Sequence, residues 1–171
     1  MPSYYDIIGV NRKTTLRELN EAFFRRAFKT HPAHQHQNAE EMQYLFELIC
    51  EAFSVLRQPK SRFNYDRALK ENPLSGESVR VPLQPGQAGK VFDHTLDQFI
   101  DSRIDSGLSF ETSYKELLGM GCPAAVAREA VDAIQAGRAE QDRAASKRMF
   151  WHGFAAFIIG SLITLYSFRF V

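Results

Sequence analysis

The sequence predicts an all-α protein: an N-terminal helical hairpin, a linker, a small helical segment and a single transmembrane helix. Three observations carry that prediction. Apolar residues recur at three- and four-residue spacing through the N-terminal region. A stretch rich in Pro, Gly, Ser and Gln then interrupts them. A run of about twenty residues without an acid or a lysine lies near the C-terminus, long enough at 1.5 Å per residue to span a bilayer core. These features divide the 171 residues into 1–69, a linker at 70–92, a short helical region at 93–148, a span at 149–168 and a tail at 169–171.

The bulk composition excludes several classes. A net charge of +1 gives no reason to expect a nucleic-acid partner. Cys50 and Cys122 show no pairing pattern, so no disulfide framework is expected and a reducing compartment is permitted. The N-terminus has neither an apolar signal core nor an Arg-rich leader, so a cleaved presequence is not expected. No Ser/His/Asp or Cys/His arrangement and no glycine-rich phosphate loop stands out. Catalysis and a cofactor are therefore not indicated.

Within the first region, Thr15-Leu16-Arg17-Glu18 has the form of a capping box. Leu16, Leu19, Phe23, Ala27 and Phe28 then outline an amphipathic helix ending near Thr30, stopped by Pro32. Met42, Leu45, Phe46, Ile49, Ala52, Phe53 and Leu56 outline a second long helix, broken at Arg57-Gln58-Pro59. Residues 60–69 can form a short third. Two long helices joined by a short polar loop are expected to pack antiparallel.

Tyr4-Tyr5-Asp6-Ile7-Ile8-Gly9-Val10, His31-Pro32, Glu51-Ala52-Phe53-Ser54-Val55-Leu56 and Arg62-Phe63-Asn64-Tyr65-Asp66 occur in one order and at spacings that resemble a J-domain. The resemblance covers about Ser3 to Leu69. It implies an antiparallel pair of long helices with a short helix on each side. It also implies partnership with a DnaK-type chaperone, whose ATP hydrolysis J-domains stimulate. Carried over residue by residue, the chaperone-binding positions are Arg25, Lys29, His31, Pro32 and Ala33.

The departures from the family are specific. The family loop reads His-Pro-Asp, and its aspartate engages the ATPase; here it reads His31-Pro32-Ala33. Alanine offers no acceptor, so a charge-assisted hydrogen bond of about 1.5–3 kcal/mol cannot form there. Phe24 stands where a basic residue of the partner-facing surface is usual, and Arg26 where an apolar core residue is usual. Leu48 and Cys50 occupy positions expected to be polar and exposed. Drift, or an alanine placed to silence the domain, is one reading. The favoured reading is a once-wet face now set against a permanent neighbour, with Phe24, Tyr44 and Leu48 as the packing candidates.

His31, His34 and His36 fall within one loop, but His31 is accounted for by the resemblance and no metal site is expected. Farther on, Leu96, Phe99, Ile100 and Ile104 outline a helix ended by Gly107. Phe110, Tyr114, Leu117 and Leu118 outline another, ended at Gly119-Met120-Gly121. Pro123 opens a third, with Ala127, Ala130, Val131 and Ile134 on one side. Met120-Gly121-Cys122 before that helix faintly resembles a ubiquitin-associated domain, although Cys122 replaces an aromatic residue. A helical spacer docking on a neighbour is the plainer reading.

In the span, Ala156, Gly160 and Thr164 repeat at four-residue spacing and could admit a second helix. Arg138, Arg143, Lys147 and Arg148 precede the run and only Arg169 follows it. The sequence thus predicts a single-pass protein with its N-terminal domain on the cytoplasmic or matrix side. A mitochondrial membrane is favoured over the endoplasmic reticulum or a bacterial inner membrane. The functional expectation is a membrane-anchored J-like protein that does not stimulate a chaperone ATPase and serves as an interaction module or accessory subunit of a membrane complex. The alternatives are a co-chaperone recruiting a DnaK-type ATPase and a ubiquitin-binding adaptor.

Overall fold

A computed structural model describes residues 2–31, 38–71 and 80–144. The chain divides into two compact units, Met1–Val131 and Asp132–Val171.

The first unit begins with α1 (Tyr4–Ile8), opened by a reciprocal capping box between Ser3 and Asp6 and closed by Gly9 at φ +81°. That left-handed turn is open to glycine at little cost, and Arg26 leaves scant room there: a Cβ at Gly9 would lie 2.9 Å from Arg26 Nη2. α2 (Leu16–Thr30) starts at the capping box read from the sequence. The Thr15 N–H donates to Glu18 Oε2 at 2.9 Å, and the Glu18 N–H donates to Thr15 Oγ1 at 3.3 Å. His31 leaves the helix with extended backbone, ψ 126°, as a residue before proline must.

α3 (Ala39–Leu56) follows. α4 (Pro59–Glu71) has proline in its first position, where the missing N–H costs nothing. His31, at the end of α2, touches Phe46 early in α3, while Phe23 stacks on Phe53 late in α3 with centroids 4.0 Å apart. The pair is therefore antiparallel. The α4 motif closes the other side. Tyr65 stacks on Tyr4 at 4.6 Å, and Tyr5 donates to Asp66 at 2.8 Å. Arg62 reaches the Tyr5 hydroxyl and the carbonyls of Arg12 and Thr14.

Residue 80 returns to this hairpin. Arg80 Nε and Nη2 donate to the two oxygens of Glu51, each at 2.9 Å. The Val81 N–H donates to the Tyr4 hydroxyl at 2.9 Å. α5 (Gln87–Asp105) then lies along the hairpin, burying Ala88, Phe92, Leu96, Phe99 and Ile100. Their spacing of three and four residues makes one continuous stripe, which is why a helix can use them all against a single surface. α6 (Phe110–Gly119) follows the Gly107 turn, and an Arg103–Glu116 ion pair at 2.9 Å ties it to α5. α7 opens at residue 124, and Ala127 and Val131 are buried in it. In the second unit, residues 132–144 are helical.

The expectation of a single-pass membrane protein needs correction. Among the described residues, no helix is long and apolar enough to cross a membrane. The longer helices are amphipathic and charged: α3 carries Glu40, Glu41, Glu47 and Glu51, and α5 carries Lys90, Asp93, Asp97, Asp101, Arg103 and Asp105. The run at 149–168, with Ala156, Gly160 and Thr164, lies outside the described residues. The fold is thus all-α with no membrane helix among the described residues. The sidedness and the mitochondrial preference rested on the span, and fall with it.

Candidate functional site

Phe24 and Phe28 of α2 are covered by α5, while Arg25 and Lys29, which the resemblance marks as partner-facing, stay exposed on the same helix. Phe24 is fully buried. Its ring lies 5.3 Å from Phe99, 6.3 Å from Phe92 and 5.7 Å from Phe28. Phe92 is the centre of this cluster, meeting Phe28 at 5.6 Å, Phe46 at 5.7 Å and the His31 ring at 5.1 Å. Edge-to-face pairs of this kind stabilise by about 0.5–1.5 kcal/mol each beyond the area they bury.

The covering extends onto α3. Cys50 is fully buried, and its thiol is pushed up to about 12 by burial, with the carboxylates of Asp93 and Glu47 adding to the effect. Arg57 at the end of α3 donates to Thr95 Oγ1 at 3.3 Å and to Gln98 Oε1 at 2.7 Å. On the next rows of α5, Asp93 and Asp97 are exposed. Burial, then Asp93 and Asp101, raise the Asp97 carboxyl above its ordinary value. The outer surface over this part of the hairpin is therefore acidic.

Glu51, Tyr4 and Arg80 form the anchor. Glu51 is buried, and burial alone would raise its carboxyl. The hydrogen bonds from Arg80 and Tyr4 outweigh that and hold it below the usual carboxylate range. Tyr4 donates to Glu51 Oε1 at 2.5 Å, and burial followed by that bond pushes the phenol well above its ordinary value. Arg80 is held protonated, first by Glu51.

Residues 3–66 match the DnaJ domain family. This region is similar to a J-domain in its motifs and in its helices. The human DnaJ homolog subfamily B member 8 is 31% identical over 100 residues, which is 58% of this chain and 43% of that protein. The human DnaJ homolog subfamily B member 6 is 35% identical over 125 residues, 70% of this chain and 38% of that protein. The chaperone protein DnaJ of Thermosipho africanus is 41% identical over 64 residues, 37% of this chain and 17% of that protein. The chain spans less than half the length of these curated relatives.

Around this J-domain-like region the sequence-derived residues scatter. Arg25 is exposed and sits 3.8 Å from Glu21. Lys29 is exposed on the same helix, and His31 is half-buried against Phe46 and Phe92. Pro32, Ala33, His34 and His36 lie outside the described residues. Of the packing candidates, Phe24 is buried by α5 of the same chain, Leu48 is half-buried, and Tyr44 remains 53% exposed. The Met120-Gly121 turn ends α6, with Gly121 at φ +89° and Cys122 buried behind it.

Sequence reasoning missed the roles of Phe92, Arg80 and Glu51. One signal was available for Glu51: it is flanked in sequence by Cys50 and Ala52-Phe53, and a carboxylate buried among apolar residues needs a partner.

Proposed function

We propose that this chain is a J-domain protein that acts as an interaction module and does not stimulate a DnaK-type ATPase. The observation that carries this reading is Phe24, fully buried beneath Phe92 and Phe99 where the family presents a basic residue to an acidic partner. Two further features support it. Ala33 removes the carboxylate of the signature loop. Asp93 and Asp97 place negative charge over the hairpin, and like charge on an approaching acidic surface costs encounter and affinity. On this reading the chain works by binding, with no catalysis of its own.

A single-turnover ATPase assay with a DnaK-type chaperone tests it. The expected result is no acceleration by the wild-type chain at low micromolar concentration, and none by Ala33→Asp, because α5 still covers the Phe24 position of α2. Several-fold stimulation by the wild type overturns the proposal. It would establish the second reading, a working co-chaperone, for which exposed Arg25 and the similarity to DnaJ relatives speak.

A further inference from the structure

Tyr44 stands apart from the other described tyrosines. Tyr4, Tyr5 and Tyr65 are buried, Tyr114 is half-buried beneath Arg128, and Tyr44 is 53% exposed. It lies in the second turn of α3, and that end of the helix is weakly held. Asn38, the N-cap, has a left-handed backbone at φ 58° and makes no side-chain cap bond. Residues 39–41 and 43 are exposed, Met42 and Leu45 are half-buried, and Phe46 is the first buried side chain. Opening residues 39–45 therefore breaks a few helical hydrogen bonds and uncovers no buried ring, the kind of local opening that costs least. With the helix closed, Tyr44 shares a cavity of about 130 Å³ with Glu47, Glu51 and Arg80. Arg80 gives Nε and Nη2 to Glu51, and its guanidinium carries two more N–H groups on Nη1. The Tyr44 hydroxyl lies within hydrogen-bonding reach of this guanidinium.

We propose that Tyr44 is a phosphorylation site whose phosphate bridges to Arg80 and fastens that part of the chain to α3. A tyrosine kinase supplies the group from a nucleoside triphosphate. The terminal phosphorus forms a bond to Tyr44 Oη, its bond to the diphosphate oxygen breaks, and the phenolic proton leaves to the kinase's base. Glu40 and Glu41, four and three residues before Tyr44, suit a kinase cleft of positive charge. The phosphate brings a charge of about −1.5 to −2 and three acceptor oxygens. Glu47 and Glu51 line the same cavity and oppose it. Glu51, however, is already met by Arg80 and by the Tyr4 hydroxyl, and half-buried Glu47 is partly screened by solvent. The charge-assisted bond from guanidinium to phosphate is the stronger term. Arg80 adjoins Val81, whose N–H holds the Tyr4 hydroxyl, and α5 opens at Gln87. Fastening Arg80 thus steadies the approach to α5.

The test incubates the full chain with ATP and a tyrosine kinase that prefers acidic substrates, then maps the phosphate by peptide mass spectrometry. Most of the label is expected on Tyr44 and none on buried Tyr4, Tyr5 or Tyr65, and Tyr44→Phe should remove it. Hydrogen exchange at Val81 and in the first turns of α5 should be about tenfold slower in the phosphorylated chain than in the same chain after phosphatase treatment. Arg80→Lys keeps a cation but not the planar fork, so it should still be labelled and should lose most of the slowing. The phosphatase comparison uses the wild-type chain and stands even if that variant fails to fold. No label, label mainly on another tyrosine, or exchange that is unchanged or faster after labelling overturns the proposal. No chaperone enters either measurement, so this result and the ATPase result can fail separately.

Discussion

The ring of Phe92 stands at 89° to that of Phe28, with centroids 5.6 Å apart, and this contact fastens α5 to α2. Phe92 is the one residue of α5 that meets rings from both long helices and from His31. Phe92→Ala should therefore cost about 3–5 kcal/mol, as large aromatic truncations in a core do. Urea denaturation measures the loss. Hydrogen exchange should rise along α5 well before it rises in α2, since the hairpin keeps its own Phe23–Phe53 stack.

Removing Arg80 should be more damaging than its place in a Pro/Gly-rich stretch suggests. Arg80→Ala leaves the Glu51 carboxylate buried with Tyr4 as its remaining donor, and breaking a buried pair from one side costs about 3–5 kcal/mol. Arg80→Met paired with Glu51→Gln should recover much of this in a double-mutant cycle.

The same carboxylate gives a pH signature. Its folded-state value lies below the unfolded one, so its contribution is complete above about pH 4.3 and fades as pH falls through the folded value. The urea midpoint of the wild type should exceed that of Glu51→Gln at pH 7, and the gap should narrow towards pH 3. A gap that widens on acidification contradicts the assignment.

Cys50 reports on the docking of α5. With its thiol pushed up to about 12 and its side chain buried, it should react with a disulfide reagent at pH 8 orders of magnitude more slowly than a free thiol. Phe92→Ala should speed that reaction sharply, because α5 must lift before reagent can enter. Unchanged reactivity would mean that Cys50 is sealed by something other than α5.

A smaller effect is expected at the start of α2. Thr15→Ala removes the oxygen that receives the Glu18 N–H and should cost about 0.5–2 kcal/mol, read as a lowered melting temperature.

Much of the hairpin was legible in the sequence, and for local reasons. Capping at Thr15, the stop at His31-Pro32 and the break before Pro59 are encoded within a few residues of where they act. The helical stripe of Leu96, Phe99 and Ile100 was legible too. What that stripe packs against was not, because docking is a long-range choice that leaves no mark in the spacing. Phe24 and Cys50 signalled that a wet face had gone dry, yet gave no indication that the cover came from the same chain. The bridge from Arg80 to Glu51 joins positions 29 residues apart, beyond any local rule. The membrane expectation rested on apolar content at 149–168, outside the described residues.

Tethering turns the covering of α2 into a question of competition. Arg80 is held on α3, and α5 starts at Gln87, so Phe92 meets its site as part of the same molecule. Short tethers give effective concentrations on the order of millimolar. A free partner present at about 1 µM, with equal intrinsic affinity for the face, would hold it roughly one part in a thousand of the time. Any protein that reaches Phe24 must therefore bring far stronger contacts than α5 makes, or arrive already concentrated by attachment elsewhere on the chain.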